Sequence, residues 1–540
     1  MDSIDKIIAR KGYKNLPLNI YNKTWRDFEI DVGKGKFYLF GIGAGADLYF
    51  FKYGNFSKVE RAFDNKEEVQ GLTLSMLTAD FDGCCSVTIE KPKELENSGD
   101  KNPIVLISSF NYFDEIAKEL ESYGIKKYYS VFCMEMMERI YHHNISMYSR
   151  DVWLKNIQMN AINPKKICIY SDCDGAGHAK EIVRCLLSMR TDLQIVWIVK
   201  NWYTKLDNKI VKRLMENRCA REFEYKTSYV WIGDSGGSGF PTVAKKYGHI
   251  GIGLKHWSSI TLKKFALDEK AVGENQTVKD AILSYKQHID YIMVGSEFDE
   301  ETCRSGFNID DKYIRIGSPR SDILFRNDRK MPFFNDYQEL KGKKLLLYAP
   351  TFRRTGKDMS NVGYRHELDF EMACQSMKSR FGGDWCILLR LHPMVAKYSK
   401  EIVIPDYVID VSNYQDAEEL VAACDALVTD YSSIMFEPAY INIPVFLFAT
   451  DLEEYTSQER DFYIDYETLP FPIAKSNEEL RKNIVDFDEQ KYKNDVKVFF
   501  NKYGVREDGH AAERAAKFIS DLIDEKVKEE KMTNYESSMK

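Results

Sequence analysis

The residues best suited to chemistry stand where short apolar runs stop. In "ACDALVTDYSSIMFEPAY", residues 423–440, an expected buried strand runs into Ser432 and Ser433 and then into an expected amphipathic helix. Backbone N–H groups, two hydroxyls and the positive end of a helix would converge there, which suits a phosphate. An isolated hydroxyl pair would merely cap the helix. Three more strand ends in the same half carry polar or basic groups: Thr351 and Arg353 in "YAPTFRR", Arg390 and His392 in "LRLHP", and Ser412 in "VIDVSNYQD". Open α/β sheets bind ligands at the ends of parallel strands, so four such ends together describe an anion site.

The apolar runs themselves must position these groups. "KLLLYAP", "WCILLRL", "DYVIDV", "DALVTD" and "IPVFLFA" alternate with helical stretches and predict one parallel sheet within residues 331–525. An earlier series, from "KKICIYSDCDGAGHAKEIVRCLL" to "YIRIG", predicts another within 151–330, and the polar, proline-carrying stretch 325–343 separates the two. "GKFYLFGIGAGADLYFFKYG" opens a smaller module within 1–150, with Gly41, Gly43 and Asp64 as a candidate nucleotide site. The expected fold is α/β: a GT-B-type pair of facing Rossmann-like domains behind a smaller Rossmann-like domain. The charged tail 526–540 has no apolar face and is expected to be without structure.

Composition narrows the class. At 540 residues the chain exceeds one hydrophobic core, and its 44% hydrophobic and 29% charged residues are those of a globular protein. A net charge of −7 argues against nucleic acid as partner, although a local basic cleft can still hold phosphates. The eleven cysteines form no CxxC pair and read as reduced core thiols of a cytoplasmic protein. No apolar run approaches the length of a membrane span, so work at a membrane would be from its surface.

"YAPTFRR", "LRLHP", "LVTDYSSIMFEPA" and "DLEEYTSQERDFYIDYETLP" resemble the C-terminal half of the CDP-glycerol:poly(glycerophosphate) glycerophosphotransferase family of teichoic-acid and capsule enzymes. "KKYGHIGIGLKHWSSITLKKF" and "IRIGSPRSDILF" resemble stretches of its preceding half, and the similarity covers about residues 160–525. Where the family places Trp-His-Gly, this chain has Lys255-His256-Trp257, and Asp461 replaces a glycine after Arg460.

The resemblance implies in-line transfer of glycerol phosphate or ribitol phosphate from a CDP-alditol to a hydroxyl of a lipid-linked or polymeric acceptor, releasing CMP at the inner face of the cell membrane. It leaves room for a homo-oligomer or a partner transferase. His256 would be the base, with Asp290 expected to orient it. His392, Arg353, Arg390, Arg460, Arg320, Thr351, Ser412, Ser432 and Ser433 would hold the phosphates. Gly175 and Gly177 suit close approach of an acceptor phosphate. Asp172 and Asp174 spell an Asp-x-Asp that could hold a metal, but the resemblance implies no cofactor and no obligatory metal. The alternatives are a GT-B glycosyltransferase using a sugar nucleotide and a nucleotide-sensing module with a degenerate transferase half.

Overall fold

The computed structural model describes residues 23–43, 45–47, 49, 58–77, 84–96, 99–100, 102–135, 162–171, 174–200, 204–215, 218–233, 248–269, 275–354, 362–363, 367–392, 395, 404–458 and 460–538. Asp172 lies outside them. Runs such as Gln194–Val199 and Ser228–Gly233 are apolar in nearly every position and buried throughout. Strands of that kind need cover on both faces, which parallel sheets with flanking helices supply.

Three such sheets form. The first contains β1 (Phe37–Phe40), β2 (Val59–Phe63), β3 (Thr73–Leu77), β4 (Cys84–Glu90), β5 (Ile104–Ile107) and β6 (Lys127–Ser130), in the order β3-β4-β2-β1-β5-β6. It departs from the expected purely parallel sheet because β3 pairs antiparallel with β4. Only residues 78–83 join those two strands, too few for the crossover that a parallel pair requires.

The second sheet contains β7 (Asn163–Tyr170), β8 (Gln194–Val199), β9 (Ile210–Leu214), β10 (Ser228–Gly233), β11 (Ile250–Gly253), β12 (Tyr291–Val294) and β13 (Tyr313–Arg315), ordered β13-β12-β11-β10-β7-β8-β9. The third contains β14 (Lys344–Ala349), β17 (Trp385–Leu389), β18 (Val408–Asp410), β19 (Ala426–Thr429), β20 (Val445–Phe448) and β21 (Ile473–Ala474), ordered β18-β17-β14-β19-β20-β21. A two-residue hairpin of β15 (Arg353–Arg354) and β16 (Val362–Gly363) follows β14. The second and third sheets are parallel at every pairing. Each changes winding direction beside its first strand, β7 or β14, and that switch is where a crevice opens beyond the strand ends.

The two crevices meet. Lys180, in the helix Gly177–Met189 after β7, puts its ammonium 2.5 Å from both Asp416 and Glu419, which follow β18. The stretch after β11 hydrogen-bonds the chain near Arg460: Tyr463 N donates to Leu262 O at 2.8 Å and Lys264 N to Asp461 O at 2.9 Å.

The chain finally returns. In the helix Ala511–Ser538, residues Ala512, Ala515, Ala516, Ile519 and Ile523 are buried in the same apolar cluster as β7 and β8. In packing, the C-terminal unit expected over 331–525 therefore gives up its last helix to the second sheet. Of the tail expected to be without structure, residues 526–538 are the end of this helix, with Val527 still packed against that cluster. Cys133, Cys168, Cys185, Cys303, Cys386 and Cys424 are buried and Cys374 half-buried, none of them in a disulfide. Among the described residues no helix is long and apolar enough to cross a membrane.

A buried charge network joins the first sheet to the second. Arg213 of β9 donates from Nε to Glu224 Oε1 at 2.8 Å and lies 3.6 Å from Asp47, which follows the first glycine turn, while Lys166 stands 2.5 Å from Glu224. Removing one member of a buried ion network leaves charge behind that neither water nor a partner matches. Arg213→Met is therefore expected to cost about 3–5 kcal/mol, read as a lower denaturant midpoint with the N-terminal sheet the first region to lose amide protection.

Candidate functional site

His256 lies three residues beyond the C-terminal end of β11, and its side chain is exposed between two buried neighbours. Lys255 Nζ pairs with Asp299, and Trp257 Nε1 donates to the same carboxylate at 2.9 Å. Beneath them His178, at the start of the helix Gly177–Met189, sits with Nε2 2.8 Å from Trp257 O and Nδ1 3.4 Å from Arg320 N. Those partners assign the neutral tautomer protonated on Nε2. Burial first, then the charges of Arg320 and Lys255, holds the His178 pKa well below its ordinary value. His178 and Asp299 were not singled out in the sequence. The hint for Asp299 was its acidic position in the first turn of the helix Glu297–Phe307.

The expected partner of His256 is elsewhere. Asp290 precedes β12 and its carboxylate accepts Gly251 N at 2.7 Å, at the N-terminal ends of the strands. Because β11 and β12 run parallel, His256 is at the opposite edge, so Asp290 does not orient it.

Opposite stand the strand ends of the third sheet. His392, beyond β17, keeps an exposed edge while its ring lies against Phe352 with centroids 4.7 Å apart. Its pKa is pushed down to about 4, by loss of water around the ring first and then by the positive charges of Lys263, Arg390 and Arg460. These three cations come from three stretches distant in sequence. Arg390 also ties down the next turn, donating from Nη1 to the carbonyls of Val411 (2.8 Å) and Ser412 (3.0 Å). Arg460 Nε stands 3.4 Å from Glu269. The sequence reading missed Lys263 as a phosphate-side group, for its place is set by the pairing of residues 262–264 with 461–463.

Other expected phosphate ligands are committed to the protein. Arg353 donates to Asp451 (2.7 Å) and Asp430 (3.0 Å), under the rings of Tyr431 and Tyr455. Two carboxylates already offset that guanidinium, so it braces strand ends rather than waiting for an anion. Arg320 is buried against Glu418 and Glu437. Ser412 Oγ accepts Leu391 N at 3.0 Å. Thr351 N donates to Asp430, and Thr351 Oγ1 is buried with no partner among the described residues.

The serine pair changes meaning too. The expected helix is a 3₁₀ turn, Ser433–Met435, followed by the four-residue helix Phe436–Ala439, in which Pro438, lacking an N–H, cannot bond back to the preceding turn. Ser432 caps the turn, accepting Ile434 N at 3.4 Å, while Ser433 Oγ accepts Leu262 N from across the crevice at 3.1 Å. Both contacts use the hydroxyl oxygen as an acceptor, so each serine is placed by the protein through its lone pairs.

Gly175 has φ +88°, and a Cβ there would lie 2.8 Å from Thr204 Cγ2 and 3.0 Å from Gln415 Nε2. It permits close approach of the third sheet's loop, while Gly177 starts the helix behind it. Asp174 uses its carboxylate on Lys200 N (3.0 Å) and Thr204 Oγ1 (2.6 Å). Among the described residues no group of three or more His, Cys, Asp or Glu side chains is disposed to hold a metal. Around Gly175, Lys180, Arg320, Arg390, Ser412 and Gln415 lies a cavity of ≈ 1190 Å³, and neither His256 nor His392 lines it. In the first sheet Gly41 turns at φ +91° and Gly43 has open space before it. Asp64, however, accepts Ile42 N at 2.7 Å and Lys66 N at 2.9 Å, so its carboxylate stabilises the glycine turn itself.

An α/β protein with cations gathered around a histidine at parallel-strand ends is suited to hold an anion. The sequence profile of the family described as CDP-glycerol:poly(glycerophosphate) glycerophosphotransferase matches residues 154–521, and the chain belongs to that family. It is 31% identical over 278 residues to the teichoic acid glycerol-phosphate transferase of Staphylococcus aureus, covering 49% of this chain and 70% of the relative. It is 30% identical to the teichoic acid poly(glycerol phosphate) polymerase of Staphylococcus epidermidis, covering 51% of this chain but only 39% of the polymerase. A solved structure of a variant of the wall teichoic acid polymerase TagF superposes with a TM-score of 0.60 at 25% identity, over 73% of this chain and 99% of that one.

A bound polyanion favours protonated His392, since it offsets the three cations that now depress its pKa. Pyrophosphate affinity should therefore tighten as pH falls from about 6.5 toward the free value of about 4, with proton uptake seen as buffer-dependent enthalpy, and His392→Gln should abolish that dependence. Ser433→Ala should leave pyrophosphate affinity unchanged and cost about 1 kcal/mol of stability for the lost crossing hydrogen bond, read by denaturant titration.

Proposed function

We propose that this chain transfers an alditol phosphate from a CDP-alditol to a hydroxyl of a growing cell-surface polymer, with release of CMP. What carries the reading is the convergence of Lys263, Arg390 and Arg460 on His392, in a chain of the glycerophosphotransferase family. The fold is read as a GT-B-type pair, residues 151–330 on the acceptor side and 331–525 on the donor side. The module 1–150 is read as an accessory unit docked through Asp47 and Arg213.

In this reading the donor's diphosphate lies among Lys263, Arg390 and Arg460. His392 becomes protonated as the anion arrives and steadies charge on the departing CMP. His256, on the opposite edge, accepts the proton of the attacking hydroxyl as the new P–O bond forms and the bond to CMP breaks. The acceptor's own phosphates approach from the side of the second sheet. Enzymes of lipid-linked polymers act at a membrane surface, so the protein is placed there as a peripheral partner of the acceptor. The glycerol-phosphate transferase and polymerase similarities favour CDP-glycerol as the first donor to try, and a ribitol-phosphate primase of Bacillus spizizenii, 32% identical over 248 residues, puts CDP-ribitol next.

Incubation with CDP-glycerol, CDP-ribitol and a panel of sugar nucleotides is expected to release CMP and form a phosphodiester; release of UDP or GDP with a glycosidic bond would point to a glycosyltransferase instead. His256→Ala is expected to lose turnover while keeping CDP-alditol affinity, because a base acts on the acceptor. Turnover should survive EDTA, the cations and His392 supplying the positive charge. Activity that disappears with EDTA and returns with Mg²⁺ would overturn that part of the mechanism.

A further inference from the structure

The segment that carries His256 is tethered almost residue by residue. Asp299, fully buried, takes the side chains on both sides of it, Lys255 and Trp257. His178 meets the Trp257 carbonyl, Ser258 Oγ shares a hydrogen with Tyr440 Oη at 2.8 Å, and Ser259 Oγ donates to Glu507. The carbonyl of His256 itself accepts from Arg320 Nη1 at 2.5 Å. The other end of that guanidinium crosses the crevice: Arg320 Nη2 pairs with Glu418 and lies 3.4 Å from Glu437, which follow β18 and β19. Arg320 is almost fully enclosed, with its Nε buried and without a partner among the described residues.

We propose that Arg320 is a positioning residue that couples the seating of the third sheet against the second to the orientation of His256. The proposal rests on the reading of His256 as the base. A guanidinium is planar with its donors in a fixed fork, so the two glutamates and the His256 carbonyl cannot shift independently while all three are bonded to it. A buried cation stripped of its carboxylates is costly, so Arg320 follows Glu418 and Glu437 and draws the loop with it. The Arg320 guanidinium is spent on the His256 carbonyl and the two glutamates, so donor affinity is expected to be independent of it.

Arg320→Lys separates these roles, for an ammonium still offsets the two carboxylates but is a point charge without the fork that reaches His256. The expected result is a kcat lower by on the order of 10²-fold from misplacement of the base, with the CDP-glycerol dissociation constant by calorimetry and the Tm both unchanged. Arg320→Met should in addition lower Tm, and any failure of that variant to fold leaves the lysine variant as the deciding one. Donor affinity that falls in step with kcat would make Arg320 a donor ligand and overturn the proposal. So would a lysine variant with full activity per folded molecule, which is what a purely structural strut predicts. His256→Ala, assayed beside them, keeps the two readings apart. Turnover by that variant refutes the base assignment, whereas a dead His256→Ala beside a fully active Arg320→Lys refutes only the coupling.

Discussion

A guanidinium taken out of water must be matched by carboxylates, and Arg320 finds its match in Glu418 and Glu437 on the far side of the crevice. Much of the arrangement near His256 depends on that requirement. Burial pushes the Glu437 carboxyl up and Arg320 opposes the shift, so neither group is at ease without the other. The loop between β11 and the 261–264 stretch then has little freedom: Asp299 and His178 hold it from below, and Tyr440, Ser433 and Glu507 from the opposite half. The side chain of His256 is the exposed one on that strap.

The cations of the site divide by what they act on. Arg353 lies between Asp430 and Asp451, and Arg320 between Glu418 and Glu437. Lys263, Arg390 and Arg460 press instead on His392, whose pKa falls to about 4 under burial and their combined charge. A crevice that makes a histidine reluctant to take a proton is one that favours an anion, since a negative ligand relieves both the cations and the ring. The family to which residues 154–521 belong is named for a substrate of that chemistry.

The N-terminal sheet carries the outline of a nucleotide fold with different uses for its parts. Asp64 accepts Ile42 N and Lys66 N, and Asp47 is fully buried facing Arg213. A carboxylate engaged by backbone N–H groups has less capacity left for a ribose hydroxyl. The same cluster of apolar side chains runs from this sheet into the second and takes in the C-terminal helix.

What the amino-acid sequence determined by itself was local: apolar runs of four to eight residues, alternating with helical patterns, specify parallel sheets because such strands must be covered on both faces. The strand ends bearing His392 and Arg390 were legible for the same reason, since a polar group directly after a buried run must lie at a sheet edge. His256 was legible only through resemblance to a family. Tertiary structure alone decided which partners each charge takes. Arg353 and Arg390 look alike in sequence, but folding puts the first between Asp430 and Asp451 and sets the second against the carbonyls of Val411 and Ser412. Ser433 became a crossing contact and Lys263 a member of the anion site because residues 261–264 pair with a segment roughly 200 positions away. Asp290 was misread for the converse reason: parallel strands put it at the edge opposite His256. Charge pairing across a crevice depends on distances in space, and no spacing along the chain encodes them.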